Sequence, residues 1–479
     1  MSDELCYLSA ADAIASFRTG SLSPVDLMTA VIERAAGVNS SVNAFTEELA
    51  DEALDAARTA EDRYRRGEPA GPLDGVPVAT KEEQPIAGRT HSEGCAQHAS
   101  DVAKISHPII ERIVDAGGII HARTTTPEFC AAGFTHTAMW GVTRNPWNPA
   151  YSSGGSSGGS GAALAAGMTT LATGSDIGGS IRIPAAFNGV VGFKPPYGRV
   201  PGLAPMNLDH YCHDGPMART VADCALLQNV IAGRHPGDPV SLPWPPAVDG
   251  DPLAEGRRVA LCMTLGDFVV EPEVEAAVRE AAARLEAAGA AVTEIRLPWT
   301  RRELMAAAWV HYGSIFSGYI RSVMTPEQIE RLEPYTRDFV RRGSQALEER
   351  GYIDALETEA AVHEALASVF AEHDVLVCPT SGVAGFLAGE DYVDAPLTVN
   401  GIELDHHLEG PLTVPFNIAS RCPVISVPTG RTSDGLPVGL QIVAPPYDDQ
   451  AAFGVAAAVE RAYEWYRTPG SRPVPGVRW

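Results

Sequence analysis

Lysine is almost missing from this 479-residue chain. Lys81, Lys104 and Lys194 are its only three, and the other 33 of its 36 basic residues are arginines. Chemistry that needs an amine able to lose its proton therefore has three side chains to draw on. Positive charge is scarce altogether: 60 acidic residues against 36 basic ones leave a net charge of −24. That excludes a nucleic-acid binder, whose phosphate contacts need a basic face, and argues against an anionic membrane surface. No apolar run reaches the roughly 18 residues of a membrane span. Asp3 and Glu4 stand where a signal peptide carries positive charge. The eight cysteines include no CxxC pair and read as reduced thiols of a cytoplasmic protein. The apolar (45%) and charged (20%) fractions are those of a globular chain long enough for a large core.

Residues 1–66 read as helices. Ser23 is an N-cap with Pro24 in the first turn, and a charged amphipathic helix over Glu48–Arg65 ends before Gly67. Between 67 and 240 strands alternate with helices: a strand over Gly75–Thr80, a helix over Ile109–Ala116, a strand over Gly118–Ala122 and another over Thr169–Thr173. This alternation predicts an α/β fold. A Pro-, Gly- and Asp-rich surface connection covers 236–256, and 257–373 is mostly helical, most clearly over Glu273–Ala288. Residues 374–479 return to buried strands at Asp374–Pro379, Pro423–Pro428 and Pro437–Val443, with a closing helix over Gln450–Arg467. We find no internal repeat, and the chain reads as a single domain over 1–479.

Two glycine-serine segments stand out: Tyr151–Gly161, which runs into an Ala/Gly-rich helix, and Gly174–Ser180. A flexible linker would not sit between regular elements. A phosphate cradle needs Lys then Ser/Thr after its last glycine, and Gly159 is followed by Ser160 and Gly161. Gly154–Gly158 matches the letters of a GxSxG nucleophile elbow, but the proline-broken stretch before it is not the buried strand an elbow needs. The third reading is nucleophilic catalysis. A serine hydroxyl needs a base, and the oxyanion it creates needs donors aimed at it. Ile177, Gly178, Gly179 and Ser180 offer a hydroxyl and turned backbone N–H groups in four residues. The base is a histidine or, if burial lowers its pKa, a lysine such as Lys81, which ends an apolar strand.

Lys81 after GVPVAT, the run Gly154–Ser160, and Gly174–Arg182 together resemble the amidase signature family. So do the flanking Asn145–Pro149, Pro184–Phe187, Gly192–Pro195, Gly215–Asp223 and Gly435–Gln441. The resemblance spans nearly the whole chain outside 240–375. It implies a large twisted mixed sheet of about ten or eleven strands with helices on both faces. It also implies Ser180 as nucleophile, Ser156 as a bridging serine on a cis peptide, and Lys81 as base. The N–H groups of Ile177, Gly178, Gly179 and Ser180 would form the oxyanion hole. Ser157 would support Lys81 by hydrogen bonding, and Asp176 and Arg182 would brace the loop. An acidic residue after the lysine is usual in the family, which makes Glu82 structural. No cofactor follows from this chemistry. No metal site is expected either, since neither His210/His213 nor His406–His407 shows three ligands at metal spacing.

The activity implied is hydrolysis of carbon–nitrogen bonds in aryl or alkyl amides, or in carbamates, by a stand-alone enzyme that is a monomer or homodimer. Trp140, Met206, Tyr211, Tyr312 and Phe316 are candidate wall residues of a fairly apolar pocket. One alternative is the glutamine-hydrolysing component of a tRNA-dependent amidotransferase. That component carries an acidic residue three positions before its TVPxN stretch, here Thr413–Asn417; this chain has Gly410 there, with Glu409 one residue back. A catalytically inactive scaffold is the other alternative, and it would be expected to lack one of Lys81, Ser156 and Ser180.

Overall fold

Short β-branched and apolar runs bounded by Gly and Pro make the strands. In the computed structural model, which describes residues 2–243, 247–463 and 465–474, eleven strands join one sheet. They are β1 (Phe45–Glu48), β2 (Pro77–Lys81), β3 (Ile119–Thr124), β4 (Leu171–Asp176), β5 (Val191–Lys194), β6 (His213–Ala218), β7 (Arg258–Leu261), β8 (Ala291–Glu294), β9 (Val375–Pro379), β10 (Val424–Arg431) and β11 (Pro437–Val443). Their order is β1-β3-β2-β4-β6-β5-β10-β11-β9-β7-β8. The neighbours β3, β2 and β4 run parallel, as do β9, β7 and β8. The remaining pairs are antiparallel.

Successive side chains of a strand face opposite ways, and both faces here are covered. In β9, Val375 and Val377 enter a core built with the helices Val221–Ile231, Pro272–Ala287 and Asp449–Arg461. Leu376 and Cys378 enter a second core with the helices Arg301–Ser314 and Tyr352–Glu372. Burial on both faces is why this strand is legible as a continuous apolar run. Among the described residues no helix is long and apolar enough to cross a membrane.

Several boundaries differ from the sequence reading. Phe45–Glu48 pairs with β3 as an edge strand, so the helix expected from Glu48 begins at Ala50; it is closed by Gly67 in the left-handed region. The segment 257–373 is helical but also contributes β7 and β8 to the sheet edge. β4 runs on to Asp176, so the first half of the Gly174–Ser180 segment is strand. The closing helix stops at Arg461, and residue 464 and residues 244–246 of the surface connection lie outside the described residues.

Candidate active site

β2 ends at Lys81 and β4 at Asp176, so two parallel neighbours deliver a lysine and the start of the 176–180 loop to the same end of the sheet. Lys81 is wholly buried. Its Nζ lies 2.6 Å from Ser156 Oγ, 2.8 Å from Ser175 Oγ and 2.9 Å from Glu83 Oε2. The Gly155–Ser156 peptide is cis. The next residue ties the two serine segments together, since the Ser157 N–H donates to Ser180 O at 3.1 Å. Contrary to expectation, the Ser157 side chain does not bond Lys81. Its hydroxyl sits over the end of β4, donating to Ser175 O (3.3 Å) and accepting from Ser175 N (3.2 Å). Hydrogen bonding to the lysine falls instead to Ser156, Ser175 and Glu83.

Burial pushes the Lys81 amine towards its neutral form, while the neighbouring Cys130 sulfur and the Glu83 carboxylate push it back, leaving it above the ordinary lysine value. Burial also drives the Cys130 thiol up to about 12, so at neutral pH that thiol is uncharged and the carboxylate holds the ammonium. Burial opposes ionisation of Glu83, but Lys81 and the Ser175 hydroxyl, which donates to it at 2.6 Å, hold it below the usual carboxylate range. Glu82 turns the other way, accepting from Ser92 N (2.7 Å) and Glu93 N (3.0 Å).

The 176–180 loop is clamped from below. Arg182 makes a two-pronged pair with Asp176, both contacts at 3.0 Å and both side chains fully buried. Burial would raise the Asp176 carboxyl, but Arg182 holds it far below the usual range. Arg182 also donates to Thr413 O, Gln441 Oε1 and Asn417 Oδ1, and Thr413 Oγ1 donates to Gly178 O at 2.6 Å. Gly179 adopts φ +125°, and a Cβ there would strike the Thr413 hydroxyl, so both backbone and space require glycine. Its N–H donates to Asp176 Oδ1 at 2.8 Å. This corrects the expected set of four oxyanion donors. Among the described residues the N–H groups of Ile177, Gly178 and Ser180 have no protein acceptor, whereas that of Gly179 is spent on holding the loop.

A cavity of about 210 Å³ opens beside this centre, with Ser156, Ser175 and Ile177 in its wall. Ser180 lines a smaller void of about 20 Å³ together with Ile177, Gly178 and Phe316. Of the candidate wall residues, Met206 and Phe316 face the larger cavity, and Tyr312 faces the smaller one, its hydroxyl donating to Ile177 O at 3.2 Å. Trp140 and Tyr211 line neither. Trp140 sits in the turn between two short paired strands, where its carbonyl accepts from Asn43. Tyr211 is fully buried, stacked on His311 and donating to Glu359 at 2.7 Å. The cavity is also less apolar than expected. Glu83, Glu93 and Asp214 stand in its wall, Glu83 against Lys81 at 2.9 Å and Asp214 against His107 Nε2 at 3.3 Å. Burial, then Glu83 and Glu82, push the Glu93 carboxyl up to about 8.

The fold also assembles a histidine group that the sequence spacing did not display. Asp209, His210 and His311 bring one ligand-type atom each within 4.8 Å of one another. His311 Nε2 and the Tyr211 N–H both bond Asp209 Oδ1, at 2.7 and 3.0 Å, so the group holds Tyr211 in place by hydrogen bonding. His406 and His407 are buried, and burial pushes His406 down to about 3. Glu409 pairs with Arg301 at 3.0 Å and lines neither cavity.

The amidase family profile matches residues 26–453. The A component of the glutamyl-tRNA(Gln) amidotransferase of Chloroflexus aurantiacus is 35% identical, covering 97% of this chain and 98% of its own. An acylamidase of Rhodococcus erythropolis is 33% identical over 96% of both. The crystal structure of a bacterial aryl acylamidase of the amidase signature enzymes superposes with a TM-score of 0.88 at 27% identity, covering 98% of this chain and 99% of that one. Agreement of this extent, end to end in both sequence and fold, means that the chain belongs to the amidase signature family of amide-hydrolysing enzymes.

Proposed function

We propose that this protein is a stand-alone hydrolase of small amides or carbamates that works through an acyl-enzyme on Ser180. The contact that carries this reading is Lys81 Nζ against Ser156 Oγ at 2.6 Å, on a segment bonded directly to Ser180. With Lys81 neutral, Ser180 passes its proton to Ser156, which passes its own to Lys81, while Ser180 Oγ attacks the carbonyl. The oxyanion meets the N–H groups of Ile177, Gly178 and Ser180. As the tetrahedral intermediate collapses, Lys81 returns the proton through Ser156 to the leaving nitrogen. Water then attacks the acyl-enzyme, losing its proton along the same path, and Ser180 is regenerated. Either an amide or a carbamate carbonyl meets this machinery equally, and the aromatic side of the cavity around Phe129, Phe316 and Tyr319 suits an aryl or alkyl body.

The 35% identity to the amidotransferase component supports a second reading, glutamine hydrolysis. Against it, Glu409 is engaged by Arg301 and away from the cavity. The test is amine or ammonia release from an acetanilide, a primary aliphatic amide, an aryl N-carbamate and free glutamine, with wild type beside Ser180→Ala. Cleavage of the anilide, aliphatic amide or carbamate, lost in the variant, is the expected result. Cleavage of glutamine alone supports the second reading, and turnover retained in Ser180→Ala overturns the mechanism.

A further inference from the structure

We propose that Glu83 is a positioning residue for this reaction: with Ser175 it aims the Lys81 lone pair at Ser156, and it holds the resting amine as an ammonium. The inference deepens the proposed mechanism and rests on it for its catalytic meaning. Lys81 Nζ, Ser175 Oγ and Glu83 Oε2 form a closed triangle with sides of 2.8, 2.6 and 2.9 Å. The fourth contact, Ser156 Oγ at 2.6 Å, lies outside it. An ammonium has three N–H donors and a neutral amine has two plus a lone pair. In the resting site Ser156, Ser175 and Glu83 use all three donors. When Lys81 loses a proton, Ser175 and Glu83 retain the two N–H groups that remain, and the lone pair faces Ser156, where a base must accept.

Glu83 also supplies the way out for that proton. Lys81 has no exposed surface, whereas 32% of the Glu83 side chain is exposed and it stands in the cavity wall. The ammonium gives its proton to the Glu83 carboxylate, forming a neutral amine and a carboxylic acid. The acid then releases the proton to cavity water, and rotation about the Cε–Nζ bond returns an N–H to Glu83 and turns the lone pair to Ser156. The other titratable groups near Lys81 do not substitute for Glu83. Cys130 is a neutral thiol, Glu82 is turned to Ser92 and the Glu93 N–H, and Glu93, its carboxyl pushed up to about 8 by burial and by Glu83 and Glu82, carries little charge at neutral pH. Without the Glu83 charge, burial alone governs the amine and lowers its pKa.

The scarcity of lysine makes this directly measurable. Lysine labelled with carbon-13 at Cε gives three signals, from Lys81, exposed Lys104 and buried Lys194, and Lys81→Met assigns the first. In wild type the Lys81 signal is expected to stay that of an ammonium up to at least pH 9. In Glu83→Gln its midpoint is expected to fall by about 1–3 pH units, and the acid limb of kcat/KM for the preferred panel substrate to fall with it. Glu83→Asp, which keeps the charge, is expected to restore the high midpoint. A wild-type Lys81 that titrates below pH 8 overturns the proposal without reference to any variant. So does an unmoved midpoint in Glu83→Gln, or an activity loss that is uniform across pH. Because the resonances are read without substrate, they decide this inference even if the amidase panel shows no turnover.

Discussion

Lys81 and Lys194 are both wholly buried, and both are the last residue of a strand in the same sheet. Their surroundings separate them. Among the described residues Lys194 Nζ bonds backbone carbonyls alone, those of Pro195, Ser420 and Cys422 at 3.0–3.4 Å. Burial, aided by the nearby Arg182 charge, pushes it down to about 7. Lys81 meets two serine hydroxyls and a carboxylate, and against its burial the negative charge beside it pushes the amine's pKa up. Burial is thus common to both lysines, and the neighbours decide what each amine is for. Dipoles of carbonyls tolerate a charge without fixing it, whereas a carboxylate fixes it and a hydroxyl gives it somewhere to go.

The difference breaks most sharply under substitution. Lys81→Met is expected to lower kcat/KM by about 10²–10⁴-fold, while Lys194→Met leaves kcat little changed; steady-state kinetics on one substrate compares them. Arg182 is a further buried cation near the site, bonded to Asp176, Thr413 O, Gln441 Oε1 and Asn417 Oδ1. Arg182→Met strands the Asp176 charge and is expected to cost about 3–5 kcal/mol in urea unfolding. Lys194→Met changes how stability depends on pH. The folded amine titrates near 7 and the unfolded one near 10.5, so between these values the unfolded chain binds one more proton. Stability from this group rises with pH by about 1.4 kcal/mol per unit. Urea midpoints at two pH values in that window are expected to show a flatter slope for Lys194→Met than for wild type. The smallest effect is expected at Trp140, where Trp140→Leu changes kcat/KM by less than about twofold because the ring lines neither cavity.

The 177–180 segment offered a hydroxyl and turned backbone N–H groups on its own residues, whereas the roles of Lys81 and Ser156 were assigned only by the resemblance to the amidase signature family, because no local pattern ties a base to a hydroxyl so far along the chain. The parts that hold them were harder to read. Thr413, Asn417 and Gln441 reach the loop across more than 200 residues of chain, and no local pattern signals such a contact. Glu83 did have a signal. It follows Lys81 by two positions, and residues two apart at a strand end share a face, whereas Glu82 points away. The aromatic candidates were placed by segment, which cannot distinguish a cavity wall from a stacked core residue such as Tyr211. β1 was hidden because its polar residues continue into a charged helix, and β7 and β8 because they are short strands within a helical stretch.

The most direct test of the account is a covalent one. Wild type treated with an aryl N-alkylcarbamate, which acylates serine hydrolases and leaves slowly, is quenched and its peptides weighed. The expected result is one carbamoyl group on the peptide containing Ser180, matched by one equivalent of released phenol, absent in Ser180→Ala and slow to form in Lys81→Met. A carbamoyl group on any other residue, or one that forms as fast in Lys81→Met as in wild type, would contradict the account.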